Sequence, residues 1–163
     1  MVKSGELPHP RRCVELAAGA LTAGDEPFGS VLVSGEGAVP AEDHNRVASG
    51  DRTRHPEFEP ARWSAARLTP EQRAAATVRT SGEHCPCAPA HARMGLGRNV
   101  HVASSGQLAS WIDELGAPAP PARTLPNEVA PGVTVEGPVP ERGAQAPELH
   151  RRFPTGAPNK ADR

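Results

Sequence analysis

An α/β fold, with a mixed sheet covered by helices, is the class this sequence predicts, and three observations predict it. The chain has 163 residues, which suits one domain and can bury a real core. Short apolar runs of strand character alternate with stretches whose apolar residues recur at helical spacing. Their order along the chain, β-β-α-β-α-β-α after an opening helix, is that of a sheet with helices on its faces.

The elements follow in order. Cys13, Leu16, Ala17, Ala20 and Leu21 recur at helical spacing between Pro10 and Ala23, and Gly24 is a natural stop. Phe28 to Val33 reads as a buried strand, the Gly-containing stretch 34–37 as a turn, and Ala38 to Asp43 as a weaker strand completing a hairpin. A polar loop from His44 to Thr53 contains Asn45. Pro56 to Leu68 reads as a helix with Pro56 in its first turn, although Pro60 is expected to disturb it, having no N–H and a ring that crowds the preceding turn. Thr69 and Gln72 form a capping-box pattern. Ala75 to Thr80 reads as a strand, Cys87 to Met94 as a helix closed by Gly95, Asn99 to Ser104 as a strand, and Leu108 to Leu115 as a helix ended by Gly116. Val129 to Val139 could add an edge strand. The domain is expected to span residues 10–153, with residues 1–9 and 154–163 as flexible termini.

Eighteen basic against nineteen acidic residues leave a net charge of −1, so the chain carries no electrostatic footprint for nucleic acid. With no tyrosine, three Phe and two Trp, aliphatic side chains must fill most of the core. Cys13 and both tryptophans read as core residues. Three cysteines, two of them too close to pair easily, fit a reducing compartment. No apolar run reaches the ~18 residues of a membrane span, and no signal-peptide core is seen at the start. The expectation is a soluble cytoplasmic protein.

Two stretches carry chemistry. One is Arg54-His55-Pro56-Glu57-Phe58-Glu59, the other Ser81-Gly82-Glu83-His84-Cys85-Pro86-Cys87. A neutral imidazole, two thiolates and a free carboxylate are the parts of a catalytic zinc site with one open position. Zinc lowers the pKa of a water in that position towards ~7, and a carboxylate that does not bind the metal can move protons between water and substrate.

Glu26-Pro-Phe-Gly-Ser-Val-Leu-Val33, Asn45-Arg46, His55-Pro-Glu57 and Thr80-Ser-Gly-Glu-His-Cys85, in that order, resemble the guanine deaminase and tRNA adenosine deaminase branch of the cytidine deaminase-like superfamily. Small bacterial nucleoside deaminase-like proteins are the nearest in character. The resemblance covers roughly residues 10 to 153. It implies a three-layer α/β/α sandwich around a mixed five-stranded sheet, a homodimer, and hydrolytic loss of ammonia from a small-molecule base, nucleoside or related heterocycle. By the same resemblance, His55, Cys85 and Cys87 would bind zinc and Glu57 would be the catalytic proton shuttle. Asn45 would hydrogen-bond the base and Phe28 pack against its ring. Backbone groups from Ser81 to Glu83 would line the pocket.

The sequence departs from the family pattern at the cysteines, which are Cys-x-Cys where Cys-x-x-Cys is expected. Losing one residue turns the second side chain by ~100° and shortens the rise by ~1.5 Å. Three outcomes are open. The loop stretches and both cysteines bind; His84 takes the vacated place, since His84-x-x-Cys87 restores the spacing; or the site is dead and the chain is a catalytically impaired paralogue with a binding or dimer-partner role. Pro60, Arg79 within a central strand and His101 in another strand are further departures. His91 and His101 read as structural or surface residues.

Overall fold

The computed structural model describes residues 8–83, 87–116, 132–140 and 145–153. His84, Cys85, residues 117–131 and residues 154–163 lie outside the described residues, and so do their expected roles. The elements are helices α1 (Pro8–Ala23), α2 (Phe58–Arg67), α3 (Pro70–Ala75), α4 (Ala88–Met94), α5 (Ser105–Glu114) and α6 (Ala146–Arg152). The strands are β1 (Gly29–Val33), β2 (Ala41–His44), β3 (Thr77–Gly82), β4 (Arg98–Ala103) and β5 (Thr134–Glu136).

These strands form one five-stranded sheet in the order β2-β1-β3-β4-β5. It is mixed, as expected. β1 runs antiparallel to both β2 and β3, while β3, β4 and β5 are parallel to one another. The parallel pairs require crossovers, which α4 supplies between β3 and β4. All five β1 residues are buried, the pattern of a strand covered on both faces.

Alternation along β1 assigns the two layers. Val31 and Val33 face α1 and meet Cys13 and Leu16. Leu32 faces the other way and joins Ala41, Ala76, Val78 and Leu96, with Trp63 of α2 and Met94 of α4 packed against them. On the α1 side, Val14 and Ala17 meet Val102 of β4 and Leu149 of α6. Cys13 is core, as expected, whereas Trp63 and Trp111 are only partly buried.

The capping box of Thr69 and Gln72 opens α3 as the sequence predicts, and Ser104 with Gln107 opens α5 by the same device. α4 stops at Gly95, whose φ of 72° suits a residue without a Cβ. Pro60 does not disturb α2. The helix begins at Phe58 with Glu57 as its N-cap, so Pro60 occupies the third helical position, whose N–H has no intrahelical acceptor in any helix. Two further readings change. α1 begins two residues before Pro10, and α6 is a helix where the sequence showed no signal. Arg79 is buried in β3, in register with Val31 and Val100 and so on the α1 face. His101 is buried in β4 beneath Gly137, where any Cβ would collide with its ring.

Candidate metal centre

The N-termini of α2 and α4 meet over the sheet, and the two chemical stretches arrive there together. His55 lies two residues before the N-cap of α2, which is Glu57, and Cys87 is the N-cap of α4. The Glu57 side chain makes no cap hydrogen bond to its own helix. Pro60 helps to explain this, since it removes the third-position N–H that a capping side chain would otherwise capture. The carboxylate turns instead to His55, whose Nδ1 lies 2.6 Å from Glu57 Oε2. Cys87 Sγ lies 3.7 Å from the same oxygen and 3.9 Å from His55 Nδ1. One ligand atom from each residue falls within 4.8 Å of the others.

Burial sharpens the electrostatics. Glu57 and Cys87 are each 1% exposed, while the His55 side chain keeps 25% of its surface. Burial works against a charge on His55. The hydrogen bond and negative charge of Glu57, with a smaller pull from Glu26, outweigh it, so the imidazole titrates above its ordinary value. Three potential ligand atoms this close are held together by shared protons or by a shared cation. A proton serves between His55 and Glu57; a metal ion suits all three. Nitrogen, oxygen and sulfur donors together form a set that fits zinc. Each helix N-terminus also presents positive partial charge, which favours carboxylate and thiolate.

Other expected site residues fall into two groups. Phe28 belongs to the centre, its ring 5.7 Å from that of His55 and tilted by 32°. Asn45 is fully buried beside it, donating its backbone N–H to the Phe28 carbonyl. Its Oδ1 accepts from Val47 N–H, closing a turn, and its Nδ2 has no hydrogen-bond partner among the described residues. The side chains of Ser81 and Glu83 serve the scaffold instead. Ser81 Oγ accepts from Gly29 N–H, and Glu83 Oε2 accepts from Ser105 N–H at the start of α5.

Two histidines flank the centre: His150, which the sequence did not bring forward, and His91, expected only as a structural or surface residue and here a buried structural one. His150 of α6 packs edge-on against Phe28, with ring centroids 5.2 Å apart, and lies 6.1 Å from Trp111. No local signal announces it, because α6 reaches Phe28 only through the fold. His91 of α4 is fully buried, its Nε2 lying 2.8 Å from the Glu57 carbonyl and its Nδ1 3.3 Å from Asn99 Oδ1. Burial holds His91 below its ordinary pKa despite both contacts and the Glu57 charge. A neutral ring donates Nε2–H to the carbonyl, and a half turn of the Asn99 amide lets its nitrogen donate to Nδ1. Its position four residues after Cys87 was the available clue, since that spacing puts both on one helix face.

No family model matches the sequence, and no curated protein matches it. Solved structures do. A guanine deaminase from Nitrosomonas europaea is 20% identical, with 94% of this chain and 86% of that one covered at a TM-score of 0.71. A structure from work on A-to-I editing by tRNA:A34 deaminases at the wobble position is 21% identical, with 88% and 99% covered at 0.61. A guanine deaminase from Bacillus subtilis is 28% identical, with 77% and 89% covered at 0.56. The chain therefore has the cytidine deaminase-like fold and is, by that fold, a member of the superfamily. Its structural neighbours are deaminases, and its His55, Glu57 and Cys87 could hold a metal ion. Among the described residues, no helix is long and apolar enough to cross a membrane.

Proposed function

We propose that this protein is a zinc-dependent aminohydrolase that releases ammonia from an amino-substituted nucleobase, nucleoside or related heterocycle. The observation that carries the reading is the convergence of His55 Nδ1, Glu57 Oε2 and Cys87 Sγ between two helix N-termini. His55 and Cys87 would hold the metal, with Cys85 or His84 as third ligand. Zinc bound there would activate water for attack on the amino-bearing carbon. Glu57 suits proton transfer because it is buried, lies beside His55 and Cys87, and is not used as a helix cap. It would take a proton from the attacking water and pass it to the neighbouring ring nitrogen, then carry the second proton from the new hydroxyl on the attacked carbon to the amine, which leaves as ammonia. The Nδ2 of Asn45 would donate to an acceptor on the substrate ring, and Phe28 would pack against the ring face.

Guanine is the first substrate to assay, since two neighbours are guanine deaminases and a further one, 22% identical, was solved with 2,6-diaminopurine. A free base in a cytoplasmic homodimer suits the near-zero net charge better than a nucleic acid does. The shortened cysteine spacing favours a second reading, a metal-poor and silent member of the fold.

Zinc content per chain separates the two, measured on protein purified without chelator or metal-binding tag. The enzyme reading expects about one zinc and ammonia release from guanine or another aminated base. In Glu57→Gln it expects zinc retained and turnover lowered by at least about 100-fold. Folded protein with almost no zinc and no ammonia release would sink it. Loss of zinc in Glu57→Gln would instead make Glu57 a ligand.

A further inference from the structure

The two halves of the candidate centre come from different helices, and α4 is only seven residues long. A helix that short has little stability of its own, so its placement depends on tertiary contacts. Among these, one side chain joins both halves. Cys87 and His91 are four residues apart on the same face of α4, and that face looks towards α2. The His91 ring reaches the backbone carbonyl of Glu57, the residue whose side chain contacts both His55 and Cys87. Its other nitrogen pairs with Asn99, and Asn99 is fixed in β4 opposite Val78 of β3. Sheet, α4 and the start of α2 are thus tied through one fully buried imidazole.

We infer that His91 is a positioning residue: it clamps the N-terminus of α4 to that of α2, so that the Cys87 sulfur meets the His55–Glu57 pair at metal-binding distance. His91 offers neither nitrogen to the metal. It sets the separation of groups that do, and replacing such an outer partner in a metal site costs about 10- to 100-fold in affinity. The inference rests on the proposed reading of these residues as a metal centre, yet its test need not.

The test compares His91→Phe, which keeps a ring and loses both hydrogen bonds, with His91→Gln, which keeps an N–H donor for the Glu57 carbonyl. Residue-resolved alkylation by iodoacetamide is followed on the full-length chain without added metal. Cys13 serves as the internal control, being buried on the opposite layer against Val31 and Val33. In His91→Phe, loss of both buried hydrogen bonds is expected to let Cys87 react at least about 10-fold faster, with Cys13 unchanged, and His91→Gln is expected to stay close to wild type. A wild-type rate at Cys87 in folded His91→Phe overturns the clamp. So does a parallel rise at both cysteines in both variants, which marks general loosening. If His91→Phe does not fold, Asn99→Ala takes its place, with a smaller rise confined to Cys87 expected and no rise overturning the inference.

Zinc affinity, measured against a competing chelator, is the second readout, expected to weaken at least about 10-fold in His91→Phe and to recover in His91→Gln. The two proposals fail separately. A wild-type chain that takes up no zinc defeats the proposed function, while the labelling still decides the clamp. Zinc binding with no labelling or affinity change defeats the clamp alone.

Discussion

His150 makes the seating of α6 sensitive to pH, and the size of the effect can be worked out. Desolvation lowers its pKa to about 4, against ~6.5 for an imidazole in water. The undocked helix therefore binds more protons than the docked one between these values, so docking is unaffected above about pH 6.5 and weakens as the pH falls. Integrating over the two pKa values gives about 2 kcal/mol lost by pH 5 and about 3 kcal/mol below pH 4. On the other side, burial of Leu149 contributes roughly 2 kcal/mol and that of Ala146 less than about 1. The exposed Arg151–Glu148 pair adds little. Beyond the ring's own packing on Phe28 and Trp111, protonation thus offsets most of the apolar burial that holds the helix, and α6 should open before the domain unfolds. Phe28 would lose its cover, and the wall of the candidate centre with it. Hydrogen exchange over residues 146–152, expressed as protection relative to intrinsic rates, tests this at pH 7 and pH 5. Protection should fall roughly 20-fold in wild type and stay level in His150→Phe, which keeps an aromatic ring and cannot titrate. An equal fall in both proteins, or none in wild type, refutes the reasoning.

Other outcomes follow from the same geometry. Zinc at about 100 times its dissociation constant should stabilise the wild-type chain by about 2.7 kcal/mol, an effect absent from Cys87→Ser; equal thermal shifts in the two would remove Cys87 from the site. Gly82→Ala would set a Cβ 3.1 Å from Phe28 Cε1, so the ring must give way. The KM for an accepted base should then rise about 3- to 10-fold, or roughly 1 kcal/mol, and an unchanged KM would remove Phe28 from ring packing. Leu32→Ala should cost about 2–5 kcal/mol in a urea titration. That residue is fully buried in the cluster that packs α2 and α4 on the sheet, and a cost below about 1 kcal/mol would place the core elsewhere.

Much of the fold was legible because its signals are local. The capping box at Thr69, the apolar run Val31 to Val33 and the stop at Gly95 each act within a few residues, and each element formed close to where its pattern lies. Pro60 misled because the penalty of proline depends on its position within a helix. The sequence indicated the helix well enough, but only its first residue, Phe58, decided that the missing N–H was not needed.

The candidate centre divides along the same line. Residue type and order, with the family resemblance they carry, bring forward His55, Cys85 and Cys87 as groups able to hold a metal and Glu57 as the one able to move a proton, because that chemistry belongs to the side chains themselves. Whether those groups meet is a matter of three dimensions, since 30 positions separate Glu57 from Cys87 and only the crossing of two helix ends over the sheet joins them. The same holds for His91 on the Glu57 carbonyl, for the buried Asn45 amide and for His150 on Phe28. Their contacts run between elements distant in the chain, and a local pattern contains no information about which distant partner burial will bring.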